Sequence, residues 1–177
     1  MFAKRVKLTN FRNYESADIE FSSGVNLIYG PNGQGKTNLV EALNFFASLD
    51  SHRVAGHTPL IKQGESTAII SLELSHEDRD LLLEYEINTD STNRARLNKS
   101  QVAKPKEILG YLNSVIFAPE DLDIVKRDPT NRRSFLDQLI IQFNPRMHGV
   151  YSDYDRVLKQ RNTLLKSARA TGTKGDN

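Results

Sequence analysis

Alternation dominates the first quarter of the chain. Val6 and Leu8, then Ile19 and Phe21, take every second place in two short runs joined by the polar stretch Thr9-Asn10-Phe11-Arg12-Asn13-Tyr14. That is the period of half-buried strands, and two early strands are predicted. Phe21-Ser22-Ser23-Gly24 reads as a hairpin turn. The apolar run Val25-Asn26-Leu27-Ile28-Tyr29 then suits a strand covered on both faces. From Gly35 the period changes. Leu39, Leu43 and Phe46 recur at intervals of four and three, with Val40 and Ala42 beside them, which predicts a buried helix.

Residues 67–74, 82–87 and 95–98 are strand-like pieces separated by charged or Asn/Asp/Ser turns, the pattern of an antiparallel meander. Residues 114–118 read as one more strand, halted by Pro119. Asp128-Pro129 marks a helix start, with Asp as N-cap and Pro at the first helical position. Phe135, Leu136, Leu139, Ile140 and Phe143 share one face of that helix, and Asn144-Pro145 closes it. Met147, Val150, Tyr154, Val157, Arg161, Leu164 and Ala168 follow steps of three and four. Both a coiled-coil seam and a plain amphipathic helix fit that spacing. The last seven residues, 171–177, offer nothing to bury and are expected to be disordered.

Composition narrows the class. At 177 residues the chain can bury a core, and none of its apolar runs approaches the ~20 residues of a membrane span. The basic start, Met1 to Lys7, runs into alternating polar residues instead of an apolar signal core, so export is not expected. With no cysteine there is neither a disulfide frame nor a thiolate zinc site, and a cytoplasmic location is expected. Charge is uneven. Up to Val125 there are 13 Lys and Arg against 17 Asp and Glu; from Lys126 onward there are 11 against 5. The basic segment fits either a nucleic-acid surface or a solvated helix face.

Residues 30–37, Gly30-Pro31-Asn32-Gly33-Gln34-Gly35-Lys36-Thr37, match the phosphate-loop pattern G-x-x-x-x-G-K-[ST] between a predicted strand and a predicted helix. A triphosphate needs many donors at close range. Glycines at 30, 33 and 35 let the backbone curl its N–H groups inward. Lys36 reaches the outer phosphates, Thr37 places its hydroxyl on a magnesium ion, and the first helical turn through Asn38 offers unpaired amides. The guanine-reading Asn-Lys-x-Asp element is absent, since Asn98-Lys99-Ser100-Gln101 lacks the carboxylate. A small-molecule kinase would need a lid and an acceptor site, and neither is visible. The four histidines show no metal-ligand spacing. Asp18 with Glu20, and Glu84 with Glu86, fall on solvent faces of strands.

Leu8-Thr9-Asn10-Phe11-Arg12-Asn13-Tyr14, the loop through Asn38, Ser51-His52-Arg53, Phe117-Ala118-Pro119-Glu120-Asp121-Leu122 and Arg132-Arg133-Ser134-Phe135-Leu136-Asp137 together resemble the bacterial RecF family, from the first residue to about Leu165. The resemblance implies an α/β fold: a partial ABC/SMC-type P-loop ATPase head with an antiparallel β meander and a truncated helical arm. It divides the chain into lobe I (1–125), a helical lobe II or arm (126–170) and the tail (171–177). It implies ATP and magnesium as ligands, an ATP-dependent homodimer of the full-length protein, and non-specific duplex DNA binding. It further implies recombinational repair in the DNA-damage (SOS) response, with RecO and RecR as partners in loading RecA at gaps. Arg12 and Asn13 would lie near the nucleotide, and Arg53 would resemble the arginine that follows the first helix in SMC-type heads. Arg127, Arg132, Arg133, Arg156, Lys159, Arg161, Lys166 and Arg169 are the DNA candidates, in sequence-independent phosphate contacts.

Family members are considerably longer. The expectation is therefore an N-terminal fragment without the magnesium-supporting aspartate, the water-activating glutamate or the signature loop, one that binds nucleotide but does not turn it over. Glu120 and Asp121 follow a predicted buried strand, near where ABC heads use a glutamine to sense magnesium; no glutamine stands there. The competing reading is a catalytically silent interaction module in which the phosphate loop only stabilises the fold.

Overall fold

The computed structural model describes residues 1–51, 53–76, 79–117 and 129–170. The two alternating runs at the start form a hairpin of β1 (Phe2–Phe11) and β2 (Tyr14–Glu20), closed by the pair Phe11 and Tyr14 with only Arg12 and Asn13 between them. Arg12 takes a left-handed φ of 56°, which lets so short a connection turn back. The meander follows as β3 (Thr67–His76), β4 (Arg79–Asn88), β5 (Arg94–Leu97) and β6 (Ser100–Gln101). All six strands join one antiparallel sheet in the order β2-β1-β3-β4-β5-β6. Because β3 adds beside β1, the chain between β2 and β3, which carries the phosphate loop, leaves the sheet and returns to it.

Period-two alternation decides which face is covered. Val6 and Leu8 of β1 stand opposite Leu72 and Ile70 of β3, and all four are buried. Leu83, Tyr85 and Ile87 continue the same face on β4. Helix α1 (Lys36–Ser48) supplies the other layer with Leu39, Ala42, Phe45 and Phe46. Phe45 sits edge-on to Tyr85 and His57, with ring centroids 4.8 and 5.4 Å away. Each such side chain contributes about 1.5–3 kcal/mol by leaving water. On the opposite face Glu84 and Glu86 are largely covered, against the expected solvent face, and Glu86 pairs with Arg96 at 3.3 Å.

Helix α2 (Pro129–Phe143) begins at the expected proline, although Asp128 lies outside the described residues. It stops before Asn144-Pro145, and α3 (Met147–Ala170) follows. The elbow between them lies against the segment that follows β6: a Cβ at Gly110 would stand 2.9 Å from the Pro145 ring. The predicted lobe boundary at 125/126, Glu120, Asp121 and the tail all fall outside the described residues.

Three expectations are corrected. Residues 25–29 form no strand: Val25, Leu27 and Tyr29 are 98, 82 and 85% exposed, and no ladder partner for them exists among the described residues. With no strand after it, the segment at residues 21–24 is not a hairpin turn; Asn26 ties it instead, accepting from the Ser22 amide and donating to the Ser22 and Gly24 carbonyls. Residues 114–117 are likewise unpaired, with Val115 and Phe117 exposed. A strand needs a neighbour to satisfy its N–H and C=O groups, and local apolarity does not supply one. The apolar faces of α2 and α3 form as predicted but are largely exposed, from Phe135, Leu136 and Phe143 to Val157 and Leu164.

Candidate functional site

The loop is exposed from Gly30 to Gln34 and buried at Gly35, and it carries three left-handed glycines, with φ of 147° at Gly30, 82° at Gly33 and 102° at Gly35. Gly35 is the most constrained. A Cβ there would lie 2.8 Å from both Asn13 Oδ1 and Tyr14 Cζ, so the hairpin turn presses directly on the loop where the helix begins. Leu39 N–H donates to the Gly35 carbonyl at 2.9 Å and closes the first turn of α1. The amides before it, at Lys36, Thr37 and Asn38, therefore have no carbonyl within the helix and are offered outward. Lys36 Nζ lies over the loop and donates to the Gly30 and Pro31 carbonyls at 2.8 and 2.7 Å. The arrangement places a cation, free amides and the positive end of a helix dipole around one small space. Pro31, Asn32 and Gln34 complete the exposed curve of the loop.

Behind the loop runs a ring of polar contacts. Asn38 Nδ2 donates to Asn13 Oδ1 at 2.8 Å, and Arg53 Nη1 donates to Asn38 Oδ1 at 2.8 Å. Arg53 also reaches Glu41 Oε2 at 3.5 Å. Arg12 grips the same carboxylate from the other side, Nε to Oε2 at 2.9 Å and Nη2 to Oε1 at 2.6 Å. Since Arg12 and Asn13 are adjacent, the circuit closes on itself. The Ser51 hydroxyl adds a third donor to Glu41 and accepts from the Arg53 amide at 3.0 Å. Arg12 is fixed further by donating Nη1 to the Pro59 carbonyl and its own N–H to the Leu60 carbonyl, at 2.9 and 2.7 Å.

Glu41 is 1% exposed. Burial alone would raise its pKa, but the Arg12 hydrogen bonds, the Ser51 hydroxyl and the charges of Arg12 and Arg53 outweigh it and hold the carboxyl below its ordinary range. So a carboxylate stands near the phosphate loop, yet it is ionised and saturated with donors. It is not placed to take a proton from water.

The structure thus brings Arg12, Asn13, Asn38 and Arg53 together with the loop that the motif marked out. Sequence reasoning missed Glu41, whose signal was a carboxylate inside the apolar stripe between Leu39 and Phe45. The basic candidates are less concentrated. Arg132 and Arg133 on α2 and Arg156, Lys159, Arg161 and Lys166 on α3 are exposed, and Arg156 pairs with Asp153 at 3.0 Å. Arg133 also lines an open cleft of about 840 Å³ between α2 and α3 on one side and the end of α1 with residues 104–106 on the other, with Lys106, His57 and His148 among its walls. Arg127 and the Arg169 side chain lie outside the described residues.

A family model described as an AAA domain matches residues 5–167. The DNA replication and repair protein RecF of Leifsonia xyli subsp. xyli is 50% identical over 176 residues, covering 99% of this chain and 46% of the relative. RecF of Streptomyces avermitilis is 49% identical over 168 residues, covering 95% and 45%. Among solved structures, the recombination mediator protein RecF-ATPrS in the RecFOR pathway superposes with a TM-score of 0.86 at 32% identity, over 98% of this chain and 47% of that one. A structure from work on ATP-driven dimerisation and DNA-stimulated activation of SMC ATPases shares the fold, with a TM-score of 0.63 at 23% identity, over 78% of this chain and 99% of that one. The fold is a partial ABC/SMC-type head. The chain belongs to the AAA domain family, in its RecF branch, and spans about half the length of the RecF relatives it matches.

Proposed function

We propose that this chain holds the phosphate-loop side of an ATP site in a DNA replication and repair protein. The observation that carries the reading is the junction at Gly35, where the hairpin turn, three left-handed glycines and the free amides of α1 converge around Lys36. The donor set fits a triphosphate with magnesium. The amides of residues 33–38 and Lys36 bind its phosphate oxygens, and the Thr37 hydroxyl takes a place on the metal. Lys36, which here donates to the Gly30 and Pro31 carbonyls, would donate to a phosphate oxygen instead. ATP itself supplies the transferable phosphoryl group; these residues bind and orient it. Turnover is not assigned to them, because Glu41, the carboxylate of the ring, is fully engaged.

Similarity to RecF supports the finer reading: a cytoplasmic head that dimerises around ATP, contacts duplex DNA without sequence preference and acts with RecO and RecR to load RecA at gaps. The arm is the proposed DNA surface. Phosphate contacts by Arg132, Arg133, Arg156, Lys159 and Arg161 predict binding that weakens steeply between low and moderate salt. A duplex titration that shows no salt dependence removes this assignment.

Melting in the presence of ATP and magnesium tests the site. Ligand binding to the folded state alone raises Tm, and Lys36→Ala is expected to cancel the rise. A Tm that ATP leaves unchanged, or that rises equally in Lys36→Ala, favours the silent interaction module instead.

A further inference from the structure

The ring behind the loop contains two guanidinium groups and one carboxylate, and it treats the two differently. Arg12 holds both oxygens of Glu41 at 2.9 and 2.6 Å, donates to the Pro59 carbonyl, and its side chain is 16% exposed. Arg53 reaches one oxygen at 3.5 Å, has its short bond to Asn38 Oδ1 instead, and its side chain is 35% exposed. A bidentate pair with additional backbone anchoring is much stronger than one long, half-exposed contact. Asn38 belongs to the first turn of α1, two residues beyond Lys36, so Arg53 is parked at the rim of the space the free amides face.

We propose that Glu41 is a positioning residue that acts through Arg53: it anchors Arg12 permanently and holds Arg53 loosely, as the guanidinium that transfers to an anionic phosphate at the loop. This inference rests on the ATP reading above. It adds a division of labour. Arg12 keeps the buried carboxylate neutralised whatever happens at the loop, so Arg53 can leave without stranding a charge in the core. Ser51 keeps one Glu41 oxygen satisfied during the exchange and, by accepting from the Arg53 amide, fixes the stem from which the guanidinium swings. No covalent step is involved.

A double-mutant cycle tests the proposal, with ATP and magnesium titrated calorimetrically into the full chain. Glu41→Gln keeps the shape and an acceptor for Arg12 but removes the charge that competes for Arg53. ATP is expected to bind about fivefold more tightly, the size of one half-exposed ion pair released. In an Arg53→Ala background the same substitution is expected to leave ATP affinity within about twofold, because the group it acts through is gone. A purely structural role for Glu41 would shift affinity equally in both backgrounds, and that result overturns the inference. If Glu41→Gln fails to fold, nitrogen-15 NMR of the arginine side chains in the unaltered chain decides. Addition of ATP should move the Arg53 signal and leave that of Arg12 in place; equal movement of both, or movement of Arg12 alone, overturns the proposal. If the unaltered chain gives no heat and no signal moves, the ATP reading fails and this inference falls with it, whereas ATP binding with an additive cycle removes the inference alone.

Discussion

Strand β3 and residues 25–29 are both short apolar runs, and they end in opposite environments. Ile70, Leu72 and Leu74 of β3 are fully buried, with β1 on one side, β4 on the other and α1 over their face. Val25, Leu27 and Tyr29 are almost fully exposed and unpaired among the described residues. The difference is not hydrophobicity. β3 has two neighbours that satisfy its backbone, and burying its side chains then stabilises the sheet; residues 25–29 have apolar side chains without a ladder partner among the described residues, so burial has nothing to build on. The phosphate loop hangs between these extremes, tied on its helix side to the well-packed region and on its strand side to the exposed one.

Truncation should expose this contrast most strongly. Phe45→Ala removes the ring that meets Phe46, His57 and Tyr85, and is expected to lower unfolding free energy by about 3–5 kcal/mol in urea titrations. A loss below about 1 kcal/mol would mean that the contact between α1 and the sheet is loose, and the comparison would collapse. Gly35→Ala comes next. Its φ of 102° and the crowding from Asn13 and Tyr14 predict a loss of about 2 kcal/mol, together with loss of any ATP-dependent rise in Tm. Retained ATP stabilisation in that variant would separate the loop's geometry from ligand binding.

Acid and base behaviour sharpens the contrast within the packed region. The folded-state pKa of Glu41 is lowered, so the unfolded chain takes up the proton first. Its contribution is fully present above the ordinary glutamate range near pH ~4.3 and is lost as pH falls from there through the folded value. Glu41→Gln should flatten that limb of the stability profile. His148 at the elbow behaves differently. Burial first, then the nearby Lys106 charge, lower its pKa against an opposing effect of Asp50, and its buried Nδ1 has no hydrogen-bond partner among the described residues. A depressed histidine also favours stability at higher pH. Here the window opens below about pH 6.5 and closes beneath the folded value. His148→Gln is expected to remove that dependence between pH 7 and 5, measured by melting at each pH. An unchanged slope would remove His148 from the docking of the arm.

Much of this was legible in the sequence where the chain makes its own partners. The hairpin and meander were readable because strands adjacent in the sequence, or separated by short turns, pair with one another, and the helix after Gly35 was readable from the spacing of Leu39, Leu43 and Phe46. The loop residues were legible because phosphate chemistry demands those residue types in that order. Glu41 was not, since a buried carboxylate is recognisable only once Arg12 from a distant turn and Arg53 from beyond the helix are seen to converge on it. Residues 25–29 and 114–117 misled for the converse reason: an apolar run announces a wish to be covered, and only the tertiary structure shows whether a neighbour answers it.

The smallest effect should come from that exposed run, and it is the most discriminating for the comparison. Leu27 is 82% exposed, so Leu27→Ser removes almost no buried area and should change stability by less than about 0.5 kcal/mol, against about 2–5 kcal/mol for Leu72→Ala in the sheet. The same change should also make the chain less prone to self-association, because an unpaired apolar segment with free backbone groups is a template for pairing with another copy. Light scattering at rising concentration measures this directly. If Leu27→Ser destabilises by more than about 1 kcal/mol, residues 25–29 are packed in solution, and the phosphate loop is anchored on both sides instead of one.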